Sequence, residues 1–376
     1  MKGIIVLGST GSVGTQTLDV VRSFPDDFNI VGLAARSNLE LLADQVQEFR
    51  PKFVFCETPY GEQGLVLPNG SQACEMDEMV RAPEVELVVT ATVGNVALVP
   101  TLSAIKAGKN IALANKESII VAGTLLTDMA REYGVDLLPV DSEPNAIWQC
   151  LNGEEKSIEK LIITASGGAF RDLEPEALAD VTPAQALNHP TWKMGPKITV
   201  DCATLMNKAF EVIEANALFG VPWENIEVVV HRQSIVHSMV EFVDGSVKAH
   251  MSSPDMRLPI QYALFHPNRV RNESIKRIDL ASVSPLTFEP MRPDRYPCFQ
   301  FALEVAKRGG TWPAALCGAD EAAVDMFLSG RIKFLEIVEV IRDSLDGHKP
   351  IAKPSLDQLI SASAWARDRV NSLVGA

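Results

Sequence analysis

Short apolar runs rich in β-branched residues alternate with amphipathic stretches through the first 140 residues. The runs are Ile4 to Leu7, Ile30 to Ala34, Phe53 to Phe55, Leu87 to Thr90, Ile111 to Ala114 and Leu137 to Val140. Such alternation predicts βαβ units around a doubly wound, Rossmann-like parallel sheet. Thr15 to Phe24 and Leu39 to Phe49 have helical periodicity, and Asn38 is placed to cap the second helix.

Beyond residue 140 the pattern changes. Leu161 to Thr164 reads as a strand and Thr204 to Phe219 as a helix, while Ser238 to Val243 and Ser246 to Met251 flank Asp244-Gly245, an antiparallel hairpin signal. This central region is therefore α/β but not doubly wound. Proline-rich sequence from Ser284 to Pro297 reads as a linker. From there the chain is mostly helical, as in Ser355 to Val374, whose Leu356, Leu359, Ile360, Ala366, Val370 and Leu373 share a stripe. The expected organisation is a nucleotide-binding domain at 1–140, a catalytic domain at 141–283, a linker at 284–297 and a C-terminal helical bundle at 298–376.

Composition narrows the function. With 376 residues and 47% hydrophobic content, the chain can bury two or three cores. A net charge of -14 argues against nucleic acid or an anionic membrane as partner, because both call for a basic face. The six cysteines form no Cys-x-x-Cys pair, which suits free thiols in a reducing compartment. An apolar strand close to Met1 and the lack of a long apolar run lead to the expectation of a cytoplasmic protein without targeting or membrane segments.

Candidate chemistry begins at Pro139-Val140-Asp141-Ser142-Glu143. If the strand continues through it, Asp141 and Glu143 share one face and Ser142 takes the other. Adjacent carboxylates repel unless a cation or proton lies between them, so the pair suits a hard divalent ion. The same residues also fit a turn or helix start carrying ordinary solvated acids. At the N-terminal end, Gly8-Ser9-Thr10-Gly11-Ser12-Val13-Gly14 lies between a strand and a helix, the setting of a dinucleotide loop, although its Gly-x-x-Gly-x-x-Gly spacing departs from the usual pattern. The second strand ends in Ala35-Arg36-Ser37-Asn38, with no acid for a ribose hydroxyl. A guanidinium and a hydroxyl there favour NADP over NAD.

Elsewhere, Asn207, Lys208 and Glu211 present an amide, a cation and an acid on one helix face. Ser166-Gly167-Gly168 can offer donors to an anion or serve as a plain turn. His189-Pro190-Thr191-Trp192-Lys193-Met194-Gly195-Pro196 sets Trp192 and Met194 between prolines, either as core residues or as a lid.

In order and spacing, these segments resemble the 1-deoxy-D-xylulose 5-phosphate reductoisomerase family over nearly the whole chain. The carrying motifs are the glycine loop, Ala-Asn-Lys-Glu-Ser at 114–118, Pro-Val-Asp-Ser-Glu, Ala-Ser-Gly-Gly-Ala-Phe at 165–170, His-Pro-Thr-Trp-Lys-Met-Gly, Met-Asn-Lys-Ala-Phe-Glu and Gln-Ser-Ile-Val-His-Ser at 233–238. The resemblance implies an NADPH- and metal-dependent conversion of 1-deoxy-D-xylulose 5-phosphate to 2-C-methyl-D-erythritol 4-phosphate in isoprenoid precursor synthesis. By the same resemblance Asp141, Glu143 and Glu211 coordinate Mg²⁺ or Mn²⁺, with catalytic support from Lys116 and His189. Substrate contacts fall to Lys116, Ser142, Glu143, Ser166, His189, Cys202, Asn207, Lys208 and Glu211. NADPH contacts fall to Thr10, Gly11, Ser12, Val13, Arg36, Ser37, Asn38, Asn115, Glu117 and Gly195. Residues 186–196, carrying Trp192 and Met194, become a lid, and a homodimer is implied.

Three positions depart from the family pattern. Cys202 stands where a serine is usual, Pro144 where a histidine usually follows the acids, and Arg36 where glycine is common. His189 and His237 are then the motif histidines available near the site. A semialdehyde dehydrogenase also pairs a glycine loop with a separate catalytic domain; it requires a nucleophilic cysteine and leaves the carboxylates unexplained. A silent NADP-binding sensor is the non-enzymatic rival.

Overall fold

Seven parallel strands in the order β4-β3-β2-β1-β5-β6-β7 organise the N-terminal part of this computed structural model. It describes residues 1–57, 67–154, 157–281, 283 and 285–375; Ser284, the first residue of the expected linker, lies outside them. In chain order the strands are β1 (Lys2–Leu7), β2 (Phe28–Ala35), β3 (Phe53–Cys56), β4 (Gln72–Ala73), β5 (Leu87–Thr90), β6 (Asn110–Leu113), β7 (Leu137–Pro139), β8 (Ile158–Ala165), β9 (Ile226–Val230), β10 (Val236–Phe242), β11 (Val247–Met251) and β12 (Glu289–Pro290). The helices are α1 (Ser12–Ser23), α2 (Leu39–Phe49), α3 (Met76–Met79), α4 (Leu98–Lys106), α5 (Lys116–Tyr133), α6 (Ser142–Leu151), α7 (Pro183–Ala186), α8 (Pro196–Thr204), α9 (Met206–Phe219), α10 (Arg257–Phe265), α11 (Pro297–Ala306), α12 (Trp312–Leu328), α13 (Glu336–Leu345) and α14 (Leu356–Val374).

The chain divides into two compact units. The first comprises Met1–Ser118, Thr124–Asn145 and Asp255–Arg277; the second comprises Ile119–Gly123, Ala146–Pro254 and Ile278–Ala376. In the first unit, β1 is buried along Ile4 to Leu7, as expected of a strand covered on both faces. Strand order reverses beside β1, so the loops after β1 and β5 open a crevice at the strands' C-terminal ends, where such sheets bind ligands.

Asp255–Arg277 belongs to this unit and not to the stretch 141–283 in which the sequence placed it. The cause is aromatic packing: Phe265 of α10 meets Phe24 and Phe28 edge-on, with ring centroids 4.7 and 4.8 Å away. Lys2 Nζ also donates to the Leu264 carbonyl at 2.8 Å. No local pattern announces such a return of the chain.

The second unit holds a mixed sheet, β11-β10-β8-β9-β12, in which β8 runs parallel to β9 and antiparallel to β10. The Asp244-Gly245 hairpin forms between β10 and β11, with Gly245 at φ 83°, the left-handed conformation such a turn requires. The helices α11 to α14 form the C-terminal bundle; α12 packs along α14, while α11 and α12 also reach α9 and α8. Residues 298–376 thus share a unit with 146–254 and do not stand as a body of their own. Along α14, Leu359, Ala366 and Val370 are buried as the stripe predicts, whereas Leu373 is exposed near the chain end. Among the described residues, no helix is long and apolar enough to cross a membrane, and all six cysteines are free thiols.

Two local readings change. The strand stops at Pro139 and α6 opens at Ser142, so alternation through Glu143 does not hold. The segment takes the helix-start option, and Pro144 falls in the first turn of α6, where a proline is tolerated because first-turn N–H groups lack helical partners. The expected helix from Thr204 is in fact two helices, because Leu205 is left-handed (φ 56°) and separates α8 from α9.

Candidate active site

In the first unit, β1 delivers the glycine loop to the sheet's switch point. Gly8 has φ +87°, and a Cβ there would lie 2.4 Å from the Ala91 carbonyl oxygen; a Cβ on Gly14 would lie 2.1 Å from that of Gly8. These two glycines carry the turn and the close approach of helix to strand. At Gly11, which caps α1, a Cβ would meet Gly8 O at 3.3 Å, so its need for glycine is milder. Thr10, Gly11, Ser12 and Val13 thus lie at the start of α1, whose positive dipole end suits an anion. Arg36, at the end of β2, is exposed and pairs with Glu57 at 3.2 Å. Ser37 precedes Asn38, which caps α2 as predicted by accepting from Leu41 N–H at 3.2 Å.

Asn115 caps α5 through the Ser118 N–H and donates to Thr92 O at 2.9 Å, Gly94 O at 2.8 Å and Glu117 at 2.8 Å. It thereby ties the loops after β5 and β6 together. Next to it, buried Lys116 reaches Asp141 Oδ2 at 2.7 Å. Asp141 also accepts the Ser142 N–H at 3.0 Å, and its carbonyl accepts the Asn145 N–H at 2.9 Å, so it acts as the start of α6. Ser142 Oγ donates to Glu143 Oε2 at 2.6 Å, so Ser142 points toward its acidic neighbour and not away from it. Carboxylate oxygens of Asp141 and Glu143 lie within 4.8 Å of each other. Two acids at that spacing, with oxygen donors only, suit a hard divalent cation.

In the second unit, α9 holds buried Asn207, Lys208 and Glu211. Asn207 Nδ2 donates to Glu211 Oε1 at 2.5 Å, and the Lys208 ammonium binds Glu211 Oε2. The break at Leu205 starts a fresh helix at Met206, which puts Asn207 and Lys208 in a first turn with its positive dipole end.

His189 Nδ1 accepts two N–H groups, from Thr191 at 3.1 Å and Trp192 at 2.9 Å, while Nε2 lies 3.0 Å from Ser166 Oγ. That fixes the tautomer: Nε2–H donates to Ser166, leaving the serine hydroxyl hydrogen for another acceptor. Burial, then the Arg171 charge, push the His189 imidazole down to about 4. A depressed histidine contributes stability above its unfolded value of about 6.5, lost as pH falls toward the folded value. We expect the His189 ring to stay neutral from pH 8 to 5 by NMR titration, and stability to decline below about pH 6.5; titration near 6.5 would contradict the hydrogen-bond assignment.

Gly168 (φ +73°) sits so close to α8 that a Cβ would lie 2.3 Å from Cys202 O. The Ser166-Gly167-Gly168 turn is therefore packed on the half-buried Cys202 segment, and the two motifs form one surface. Arg171, which the sequence reading passed over, donates to Ser166 O and Arg232 O, each at 3.0 Å, and holds this turn; its only signal was its position directly after Ala-Ser-Gly-Gly-Ala-Phe. Trp192 lies half-buried with its ring 6.1 Å from that of His237, whose Nε2 is 2.7 Å from Ser252 Oγ. Met194 and Gly195 follow, and Gly195 caps α8.

Known proteins match this chain in sequence and fold. The family description 1-deoxy-D-xylulose 5-phosphate reductoisomerase matches residues 4–123, its C-terminal domain description matches 137–219, and a second DXP reductoisomerase C-terminal domain matches 251–369. A relative of that name from Shouchella clausii is 47% identical, over 99% of this chain and 100% of its own length. The chain belongs to the 1-deoxy-D-xylulose 5-phosphate reductoisomerase family. Another member, from Geobacillus kaustophilus, is 48% identical over 100% of both chains. Among solved structures of the family, the Zymomonas mobilis enzyme in complex with NADPH aligns with TM-score 0.91 and 38% identity, covering 100% of this chain and 99% of that one. A DOX-P reductoisomerase in complex with NADPH, fosmidomycin and magnesium aligns with TM-score 0.93 and 32% identity, covering 100% and 98%. The semialdehyde dehydrogenase alternative is not favoured by these matches.

Proposed function

We propose that this chain is an NADPH- and divalent-metal-dependent enzyme that rearranges and reduces 1-deoxy-D-xylulose 5-phosphate to 2-C-methyl-D-erythritol 4-phosphate. Family membership over the full length supports the reaction. The observation that carries it is the Asp141 and Glu143 pair beside Lys116, a donor set that a plain nucleotide-binding protein has no use for.

In this reading Asp141, Glu143 and Glu211 hold Mg²⁺, with Mn²⁺ as an alternative. When bound, the ion supplies positive charge to the keto and hydroxyl oxygens of the substrate. Lys116 neutralises charge next to Asp141. Ser166, oriented by neutral His189, directs its hydroxyl hydrogen at a phosphate oxygen; Asn207 and Lys208 add an amide and an ammonium, and Cys202 a weak thiol donor. The carbon skeleton is cleaved and rejoined, and the resulting aldehyde is reduced by hydride from NADPH, the cofactor carrying that chemistry. Thr10, Gly11, Ser12 and Val13 receive the cofactor phosphates, Arg36, Ser37 and Asn38 the 2′-phosphate side, and Asn115, Glu117 and Gly195 its remaining contacts. Trp192 and Met194, on 186–196, form a lid that excludes water so that the aldehyde does not escape. A homodimer in the cytoplasm, with an N-terminal nucleotide-binding region and a central catalytic one, completes the proposal.

The test is NADPH oxidation followed spectrophotometrically with 1-deoxy-D-xylulose 5-phosphate, with and without chelator. Turnover that stops on chelation and returns with added Mg²⁺ supports the reading, whereas turnover indifferent to chelation defeats it. The cysteine departure has its own test. Cys202→Ser restores a full hydroxyl donor and should lower KM for substrate about fivefold, the worth of about 1 kcal/mol of hydrogen bonding; an unchanged KM removes Cys202 from the phosphate side.

A further inference from the structure

Outside the site described above, the second unit buries a lysine between two aspartates. Lys197, the second residue of α8, places Nζ 2.5 Å from Asp201 Oδ2 and 2.7 Å from Asp320 Oδ2, and 5.0 Å from the centre of the Phe210 ring. The lysine side chain is 13% exposed, and the aspartates 2% and 1%. Asp201 is one turn along the same helix, but Asp320 is on α12, 123 positions away in sequence.

We propose that Lys197 is a positioning residue: through Asp320 it pins the start of α8, and with it the C-terminal end of segment 186–196, to the helical bundle. This rests on the reading of that segment as a lid. Three observations carry the inference. First, the connection from lid to lysine is stiff, because Gly195 O accepts both the Thr199 N–H at 3.2 Å and the Thr199 hydroxyl at 2.7 Å, locking Gly195 into the first turn of α8. A Cβ on Gly195 would meet nothing within 4 Å, so the anchor, and not a glycine requirement, fixes that end. Second, Lys197 lies over Phe210, whose chain neighbour is Glu211, so the same ammonium touches the helix that carries Asn207 and Lys208.

Third, the network is not arranged for stability. Burial and the adjacent Asp201 charge push the Asp320 carboxyl up to about 7 against the pull of Lys197. Among the described residues Asp320 Oδ1 has no hydrogen-bond partner. Buried ion pairs often contribute no more than apolar side chains of equal volume, and their return is a defined geometry. Here that geometry joins the lid's end, the substrate helix and α12.

Asp320→Ala tests this, because it severs the tie to α12 and leaves Lys197 balanced by Asp201 within α8. Amide hydrogen exchange across 189–195 in the full-length holoenzyme should speed up about tenfold, the scale of one charged hydrogen bond. Exchange in β1 and β5 should stay as in the parent, and kcat should fall about tenfold. Asp320→Asn, which keeps an oxygen acceptor for Lys197, should restore most of both. Asp320→Ser carries the same expectation as alanine should that variant fold poorly. Unchanged exchange at 189–195 in a folded alanine or serine variant overturns the anchor. Faster exchange with unchanged kcat and KM leaves the tether standing but overturns its positioning role, and with it the lid reading on which that role rests.

Discussion

Glu211→Gln should lower kcat by about a thousandfold at saturating Mg²⁺, the scale of roughly 4 kcal/mol of charge stabilisation in the transition state. Glu211 is 1% exposed, and both its oxygens are engaged, one by Asn207 and the other by Lys208. An amide at this position offers a cation one neutral oxygen in place of a carboxylate. It also leaves the buried Lys208 ammonium without its counter-charge, a change that costs about 3 to 5 kcal/mol where a buried pair is broken. Urea unfolding should therefore show a lowered midpoint alongside the kinetic loss. The double variant Lys208→Met/Glu211→Gln isolates the stability effect, recovering the unfolding midpoint because no unpaired charge remains, while activity stays lost, since Lys208 is itself a proposed substrate contact. A single variant within tenfold of parental kcat would remove Glu211 from the proposed metal site.

Gly14→Ala is expected to have the largest effect at the cofactor end. The new Cβ would sit 2.1 Å from Gly8 O and 2.6 Å from Ser9 Cα, both backbone atoms that no rotamer change can move aside. Relief requires α1 to shift off β1, an overpacking that costs about 1 to 3 kcal/mol. Because α1 opens at Ser12, the same shift moves Thr10 to Val13 away from the phosphates they are proposed to receive. KM for NADPH should rise about tenfold or more, since each 1.4 kcal/mol is a factor of ten. Gly11→Ala, whose Cβ would lie 3.3 Å from Gly8 O, should leave the unfolding midpoint close to the parent. Equal destabilisation by the two substitutions would show that the loop does not distinguish its glycines as the backbone geometry requires.

Much of the architecture was legible in the sequence because it is set by short-range physics. The apolar runs and the 3.6-residue periodicity gave six of the seven parallel strands from Ile4 to Leu138, missing the two-residue β4, together with the Asn38-capped helix and the Asp244-Gly245 hairpin, each within a few residues of its observed limits. These features depend on side-chain periodicity and turn dihedrals, which act over a few residues. The acidic segment shows where this fails. Alternation would put Asp141 and Glu143 on one face only if the strand continued, and the composition left a helix start equally open; Asp141 in fact opens α6, and the helix start brings Ser142 and Glu143 together. A strand end and a helix start have similar composition here, and what decides between them is where β7 runs out of partners on β6.

The remainder was decided by packing between distant segments. Phe265 joins Phe24 and Phe28, which carries Asp255–Arg277 into the first unit; His189 finds Ser166, and Lys197 finds Asp320. The sequence by itself determined most of the N-terminal strands, the capped helix, the hairpin, the family and the residue types available for chemistry. Only the tertiary structure decided the tautomer of His189, the break at Leu205 and the partners of each buried charge. The reason is that a dihedral preference is a property of a few neighbouring residues, whereas a buried polar group takes whichever partner the whole fold sets within hydrogen-bonding distance.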